Sequence, residues 1–199
     1  MTGEYGVGEV SECAEGFASL YHIDAVEGNA ERHDHDERQV VIPGINFTCS
    51  GTIRKWIFGA AWEDNPAVEA HIELQIWRRS SGSVYTKVGG TTVVGRREND
   101  NQLYEYPLET PLAFQEGDIL GYFQPEDDSS DLVLYLEYSR RLRGYHNIVT
   151  ALEPLTRFDI NDADAPDSHY PLLHVETGTS TYSIPGLNTL YVSLSIFLE

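Results

Sequence analysis

Oxygen-bearing side chains are concentrated between residues 159 and 167, where they could bind calcium. Calcium prefers several carboxylate and carbonyl oxygens supplied by a flexible loop. Five side chains of this stretch carry such oxygens: Asp159, Asn161, Asp162, Asp164 and Asp167. The stretch is not an EF-hand loop, because the glycine and the distal Glu of that motif are missing. The sequence leaves two interpretations open, a calcium site formed by these side chains or a solvated acidic loop.

A second group of metal-binding side chains lies nearer the N-terminus. On an extended chain His33, His35 and Glu37 would project to one side, as metal ligands must. The group resembles the metal motif of cupins, which also lies on a jelly-roll-like barrel. The spacing departs from that motif, because a cupin places its Glu several residues after the second His. The alternatives are a cupin-like metal-dependent enzyme that uses these three residues and a solvated polar loop.

One dense basic cluster stands out in an acidic chain. It consists of Arg140, Arg141 and Arg143. Arginine side chains bind carboxylates and sulfates through paired N–H groups, so the cluster could bind an acidic glycan or an acidic protein partner. The alternative is that these arginines compensate neighbouring carboxylates within the protein.

A strand-like run from residue 71 to residue 78 places one aromatic residue among polar ones. His71, Glu73, Gln75 and Trp77 alternate with apolar residues and therefore share one strand face. An exposed Trp on such a face could stack on a sugar or anchor a protein partner. In the alternative, a crossing loop or a second sheet covers the face and Trp77 belongs to the core.

Composition restricts the function further. The 199 residues include 32 acidic and 13 basic side chains, and the formal net charge is −19. Such a charge disfavours binding to nucleic acid or to anionic lipid, since both require clustered cations. No apolar run approaches the ~18 residues that a membrane-spanning helix needs, and the N-terminus lacks the pattern of a signal peptide. No nucleophile elbow, phosphate loop, dinucleotide fingerprint or His-Glu-x-x-His motif is present.

Strand periodicity recurs along most of the chain and predicts the elements that must position these groups. Ile72, Leu74 and Ile76 alternate with polar residues, and several other runs show the same pattern. Turn sequences rich in Gly, Pro and Asn separate the runs. About ten short strands of this kind predict an all-β, antiparallel β-sandwich, jelly-roll-like in topology. We expect an N-terminal segment over residues 1–38 and the sandwich over residues 39–199, as one domain.

The two cysteines and a neighbouring sequon favour an extracellular location. Cys13 and Cys49 could form one disulfide or remain two unrelated thiols. Asn46 begins a glycosylation sequon, and the alternation of residues 45–49 predicts that Asn46 points outward while Ile45 and Phe47 point inward. We expect a disulfide between the cysteines and a glycan on Asn46, because both suit an oxidising compartment.

Several stretches carry a resemblance to a known group of modules. They are VIPGINFTCSGTI at 41–53, then Trp56, LQIWR at 74–78, VYTKVG at 84–89 and FQEGDILGYFQP at 114–125. Together they resemble uncharacterised β-rich modules in extracellular parts of receptor-like multidomain proteins of marine invertebrates such as sponges. The resemblance extends over residues 13–138. It implies an extracellular or cell-surface setting within a longer protein, and it implies no activity.

These features favour a non-catalytic recognition or adhesion module that binds a glycan or an extracellular protein, with calcium as a possible cofactor. Loops on a rigid sandwich commonly carry such binding sites. The alternatives are the cupin-like enzyme described above and a structural spacer or self-associating domain. The composition predicts no nucleic-acid partner and no membrane insertion.

Overall fold

The structure, a computed structural model, describes residues 13–17, 38–64, 70–95, 102–124, 130–134, 136–138, 144–148, 154–163 and 169–179. Nearly all of these residues lie in antiparallel strands. The strands are β1 (Ala14–Glu15), β2 (Arg38–Phe47), β3 (Gly51–Asp64), β4 (Ala70–Ser81), β5 (Val84–Gly95), β6 (Gln102–Phe114), β7 (Ile119–Gln124), β8 (Ser130–Leu134), β9 (Leu136–Tyr138), β10 (Tyr145–Ile148), β11 (Arg157–Asp159), β12 (His169–Pro171) and β13 (Leu173–Thr179). One 3-10 turn follows β11 at Ile160–Asp162. Among these residues, no helix is of a length and apolarity that would let it cross a membrane.

A large sheet contains the strands in the order β1-β2-β7-β4-β5-β11, and β10 also pairs with β2. A smaller sheet has the order β13-β3-β6, and β8 pairs with the far end of β3. The chain crosses between the two sheets from β2 to β3, back to β4, and again before and after β6. Repeated crossing is the connectivity of Greek-key sandwiches and jelly rolls. The predicted antiparallel β-sandwich is confirmed.

The main core fills the space between the sheets. Alternation in β4 places its even-numbered apolar residues inward, and Ile72, Leu74 and Ile76 are completely buried. Trp56 and Phe58 of β3 meet them from the smaller sheet. Burial of such apolar side chains is the main favourable term in folding. The strand periodicity of the sequence thus identified this core correctly.

A second, smaller core covers the outer face of the large sheet. Five buried side chains form it: Val41, Trp77, Tyr85, Ile119 and Phe158. Phe158 comes from β11, which pairs with β5 at the end of the large sheet. Gly121 of β7 makes room for the indole, because a Cβ at that position would lie 2.5 Å from Trp77 Nε1. The large sheet is therefore covered on both faces around Trp77.

The N-terminal strand is fixed to the sandwich by a covalent bond. Cys13 and Cys49 form a disulfide with Cα atoms 5.1 Å apart, which confirms the predicted pairing. The backbone amide of Thr48 donates to the carbonyl of Cys13 at 2.9 Å. Gly16 then turns the chain in the left-handed region, at a φ of 81°. This turn is followed by Phe17, which packs against the main core.

Candidate functional site

The predicted binding face of β4 is mostly internal. Trp77 is completely buried, and Phe158 meets its indole edge-on at a centroid distance of 6.2 Å. The prediction that Trp77 stacks on a ligand from a solvent-facing strand is therefore wrong. The alternative that Trp77 belongs to the core holds, because apolar side chains from β11 and its flanking residues, Phe158 among them, pack around the indole. His71, near the start of β4, is exposed.

The polar residues of this face hydrogen bond to one another. Trp77 Nε1 and Gln39 Nε2 both donate to Gln75 Oε1, at 2.9 and 2.7 Å. Gln75 Nε2 in turn donates to Glu73 Oε2 at 3.1 Å, and Lys87 Nζ lies 3.1 Å from Glu73 Oε1. Buried polar groups are stable only when they are hydrogen bonded, so this network allows Gln75 to lie in the interior. Gln75 and Glu73 therefore support the fold here, and Gln75 is not available to a ligand.

The beginning of the predicted calcium loop is folded against the turn between β4 and β5. Asp159 Oδ1 accepts hydrogen bonds from Ser83 Oγ at 2.6 Å and from the backbone amide of Asn161 at 3.1 Å. Asn161 Nδ2 also donates to Ser83 Oγ at 2.6 Å. Asp159 thereby caps the 3-10 turn, and Asp162 in that turn is exposed. The local role of Asp159 is to attach β11 to the sheet edge.

Calcium binding by this loop stays a prediction. Asp164 and Asp167 lie outside the described residues, so the complete set of five oxygen donors is not described together. Within the described ranges, no group of three or more His, Cys, Asp or Glu side chains is placed to hold a metal ion. His33, His35 and Glu37, the residues of the cupin-like hypothesis, also lie outside the described part of the chain, as do Arg140, Arg141 and Arg143.

Replacing Ser83 should change the titration of Asp159. The hydroxyl of Ser83 and then the amide of Asn161 lower the pKa of Asp159 below its ordinary value of 3.8, because both bonds favour the carboxylate. The stabilisation from Asp159 is thus complete above pH 3.8 and is lost as the pH falls through the lower folded pKa. In Ser83→Ala we expect the pKa of Asp159 to rise toward 3.8, measured by NMR of its carboxyl carbon. Ser80→Ala, which removes an exposed hydroxyl of β4, is the control. Identical titration curves for Asp159 in the wild-type protein and both variants would contradict the role of the Ser83 hydroxyl in lowering this pKa.

The described surface has an open groove where the two sheets part at one end of the sandwich. We call it the end groove, and its volume is about 310 Å³, at the lower limit of ordinary ligand pockets. The start of β3, the end of β6 and one residue each from β4 and β5 line it: Ser50, Gly51, Thr52, Arg78, Val88, Ala113, Phe114 and Gln115. The lining contains hydroxyl, amide, guanidinium and apolar groups. Such a mixture suits a ligand that has both hydroxyl groups and apolar surface.

A buried ion pair fixes one side of the end groove. Arg78 Nε and Nη2 donate to Asp118 Oδ1 and Oδ2, each at 2.8 Å, so the pair is bidentate. The backbone amide of Gln115 also donates to Asp118 Oδ2 at 2.7 Å. Hydrogen bonding to Asp118 raises the pKa of Arg78. The arginine side chain is 39% exposed and the Asp118 side chain 1%, so the solvent-exposed surface of the pair belongs to Arg78.

The floor and the rim of the groove differ in character. The ring of Phe114 is buried and stacks on Phe47 at a centroid distance of 4.0 Å, and the ring of Phe17 lies 5.3 Å from that of Phe47. Phe17, two residues after the N-terminal strand, thus packs against the ring on which Phe114 stacks. On the rim, Val88 is the one large apolar side chain that the described residues leave exposed, at 41%. It adds apolar contact area to the groove.

Sequence reasoning did not single out Arg78 or Asp118. A signal was present, because Arg78 continues the inward-facing alternation of Ile72, Leu74 and Ile76. An inward-facing arginine requires a carboxylate partner, since an unpaired buried charge is very costly. Comparison of this chain with protein-family models, curated proteins and solved structures gives no match. The interpretation of the groove therefore depends on its own atoms.

Proposed function

We propose that this protein is an extracellular recognition module that binds a glycan in the end groove. The observation that carries the proposal is the composition of the groove lining, in which hydrogen-bonding side chains line the same groove as an exposed apolar side chain. A sugar has hydroxyl groups at its edge and C–H groups on its faces, so it matches both. The volume of about 310 Å³ is enough for a small ligand or for the end of a longer glycan.

Rigidity supports binding at this place. The Arg78–Asp118 pair holds one wall, and the stack of Phe114 on Phe47 holds the floor. The Cys13–Cys49 disulfide ties the N-terminal strand to the same end of the sandwich. A preorganised site loses little conformational entropy when it binds, and more of the contact energy then contributes to affinity.

The extracellular setting is supported by the disulfide, because such bonds persist in oxidising compartments. The sequon is also compatible with it. Asn46 is partly exposed, whereas its neighbours Ile45 and Phe47 are buried, as the alternation predicted. The net charge of −19 favours a partner other than nucleic acid.

A glycan array with matched variants tests the proposal. We expect the wild-type protein to bind a restricted set of glycans and Val88→Glu to bind them at least about tenfold more weakly, because a charged side chain then replaces apolar contact area at the rim. Thr92→Glu is the control, since Thr92 is an exposed residue of the same strand outside the groove and the charge change is identical. The array is run in calcium and in chelator, which also tests the calcium hypothesis.

Two results would contradict glycan binding in the end groove. In the first, the wild-type protein binds no glycan above background. In the second, Val88→Glu and Thr92→Glu bind with equal strength, which would place the interaction elsewhere. Thermal unfolding of both variants is measured alongside, because an exposed substitution on β5 should leave the fold unchanged.

A further inference from the structure

Arg78 has hydrogen-bonding capacity that the protein does not use. A guanidinium carries five N–H donors, and Asp118 engages one on Nε and one on Nη2. The remaining donors are the pair on Nη1 and the second one on Nη2. They form no hydrogen bond or ion pair with any residue that the structure describes. Arg78 lines the end groove, and 39% of its side chain is exposed.

Asp118 holds this edge in a fixed orientation. Its oxygens accept from the Nε side of the guanidinium and from the amide of Gln115, and it is almost completely buried. Because Asp118 occupies the Nε side, a ligand could bind the remaining end-on edge without displacing Asp118. Two parallel N–H groups on Nη1 and Nη2 match the two oxygens of a carboxylate, which is the arrangement of bidentate Arg–carboxylate pairs.

The charges around the groove favour a ligand with one carboxylate over a ligand with several. Arg78 is the only charged residue among those that line the groove within the described part of the chain. Asp118 is already paired with Arg78. Glu116 follows the lining residue Gln115 in the sequence and is exposed, so its carboxylate is the one that could compete with a ligand for Arg78. The net charge of −19 repels a polyanion, but physiological salt screens exposed charges beyond about 8 Å. A single carboxylate in contact with Arg78 would thus be bound by a local attraction that outweighs the distant repulsion.

We propose that the end groove selects a sugar that bears a carboxylate, of the uronic or sialic acid class, and binds that carboxylate through the unused edge of Arg78. The inference rests on the proposed function, because it names the chemical class of the glycan. Ser50 and Gln115 then lie near the ring hydroxyls, and Val88 contacts apolar parts of the sugar.

A matched pair of small probes tests this inference. The probes are methyl β-D-glucuronide and methyl β-D-glucoside. They differ at one group only, which is a carboxylate in the glucuronide and CH₂OH in the glucoside. We expect the glucuronide to bind the wild-type protein at least about tenfold more tightly, since a hydrogen bond to a charged group is worth this factor or more. Binding is followed by NMR of the labelled Val88 methyl groups, which report on the groove itself.

Two variants distinguish binding through the planar guanidinium edge from attraction to a positive charge alone. Arg78→Lys keeps a cation opposite Asp118 but removes the planar edge, so the preference for the glucuronide should fall to about threefold or less. Arg79→Lys is the control, because Arg79 is an exposed neighbour whose Nε donates to the carbonyl of Gly82. If Arg78→Lys does not fold, the methyl ester of the glucuronide gives the same comparison on the wild-type protein, since it is neutral and should bind like the glucoside.

The outcomes distinguish this inference from the proposed function. Equal affinity for the two probes, or a preference unchanged in Arg78→Lys, would overturn the selection of carboxylates and leave glycan binding in place. If neither probe nor any arrayed glycan perturbs Val88, glycan binding itself fails, and the inference fails with it. A preference that is lost in Arg78→Lys and kept in Arg79→Lys would support it.

Discussion

Replacement of Asp118 by Ala is expected to lower the free energy of unfolding by about 3 kcal/mol, which urea denaturation would measure. The buried carboxylate accepts three hydrogen bonds, two from Arg78 and one from the amide of Gln115. Its removal leaves the guanidinium and the amide without an acceptor. The value is at the low end for a broken buried ion pair, because Arg78 is partly exposed and can be solvated in part.

Two further substitutions isolate the effect of the charge. Asp118→Asn keeps the shape and one acceptor oxygen, so it should destabilise the protein by about half as much. Glu116→Ala removes an exposed carboxylate from the same turn and should change stability by less than about 0.5 kcal/mol. If Asp118→Ala cost no more than Glu116→Ala, the ion pair would have no part in holding the end groove.

Removal of the disulfide is expected to destabilise the protein by about 3–4 kcal/mol, since the bond closes a long loop in the unfolded chain. The two cysteines are 36 residues apart. The variant is Cys13→Ala with Cys49→Ala, and its unfolding free energy is compared with that of the oxidised wild-type protein. We also expect faster hydrogen exchange at the backbone amide of Phe47, because the disulfide would no longer hold Phe17 in contact with the Phe47 ring.

Reductant supplies the control for this measurement. Dithiothreitol should lower the unfolding midpoint of the wild-type protein toward that of the double variant and should leave the variant unchanged. An unfolding midpoint that is equal in the oxidised protein and in the double variant would mean that the N-terminal strand adds nothing to the stability of the sandwich.

The sequence was sufficient to predict the strands because alternation is a local property. Ile72, Leu74 and Ile76 repeat at the strand period, and the structure buries all three. The same alternation predicted that Trp77 shares a face with Glu73, which is correct. It could not predict what covers that face, because Phe158 reaches it from a segment far along the chain. Periodicity assigns residues to faces, whereas the cover of a face depends on tertiary packing.

The end groove was beyond prediction for a related reason. Its walls come from the turn after β2, the start of β3, the end of β6, and single residues of β4 and β5, and no local pattern joins these segments. Glu116, Gly117 and Asp118 have the composition of an ordinary turn. That turn became part of a site only when β7 paired with both β2 and β4 and brought Asp118 beneath Arg78.

The strand order has a consequence for the assembly of the chain during synthesis. β2 pairs with β7, and four other strands are made between them. While these strands emerge from the ribosome, β2 lacks the neighbour that will place it inside the large sheet. Both cysteines, in contrast, lie within the first 49 residues, so the thiols can be oxidised before β7 exists. The covalent link then holds β1 against Asn46 and Phe47 at one end of β2, on the side opposite β7. The edge of β2 that awaits β7 stays open until β7 is made, and an open edge of this kind tends to pair with other chains.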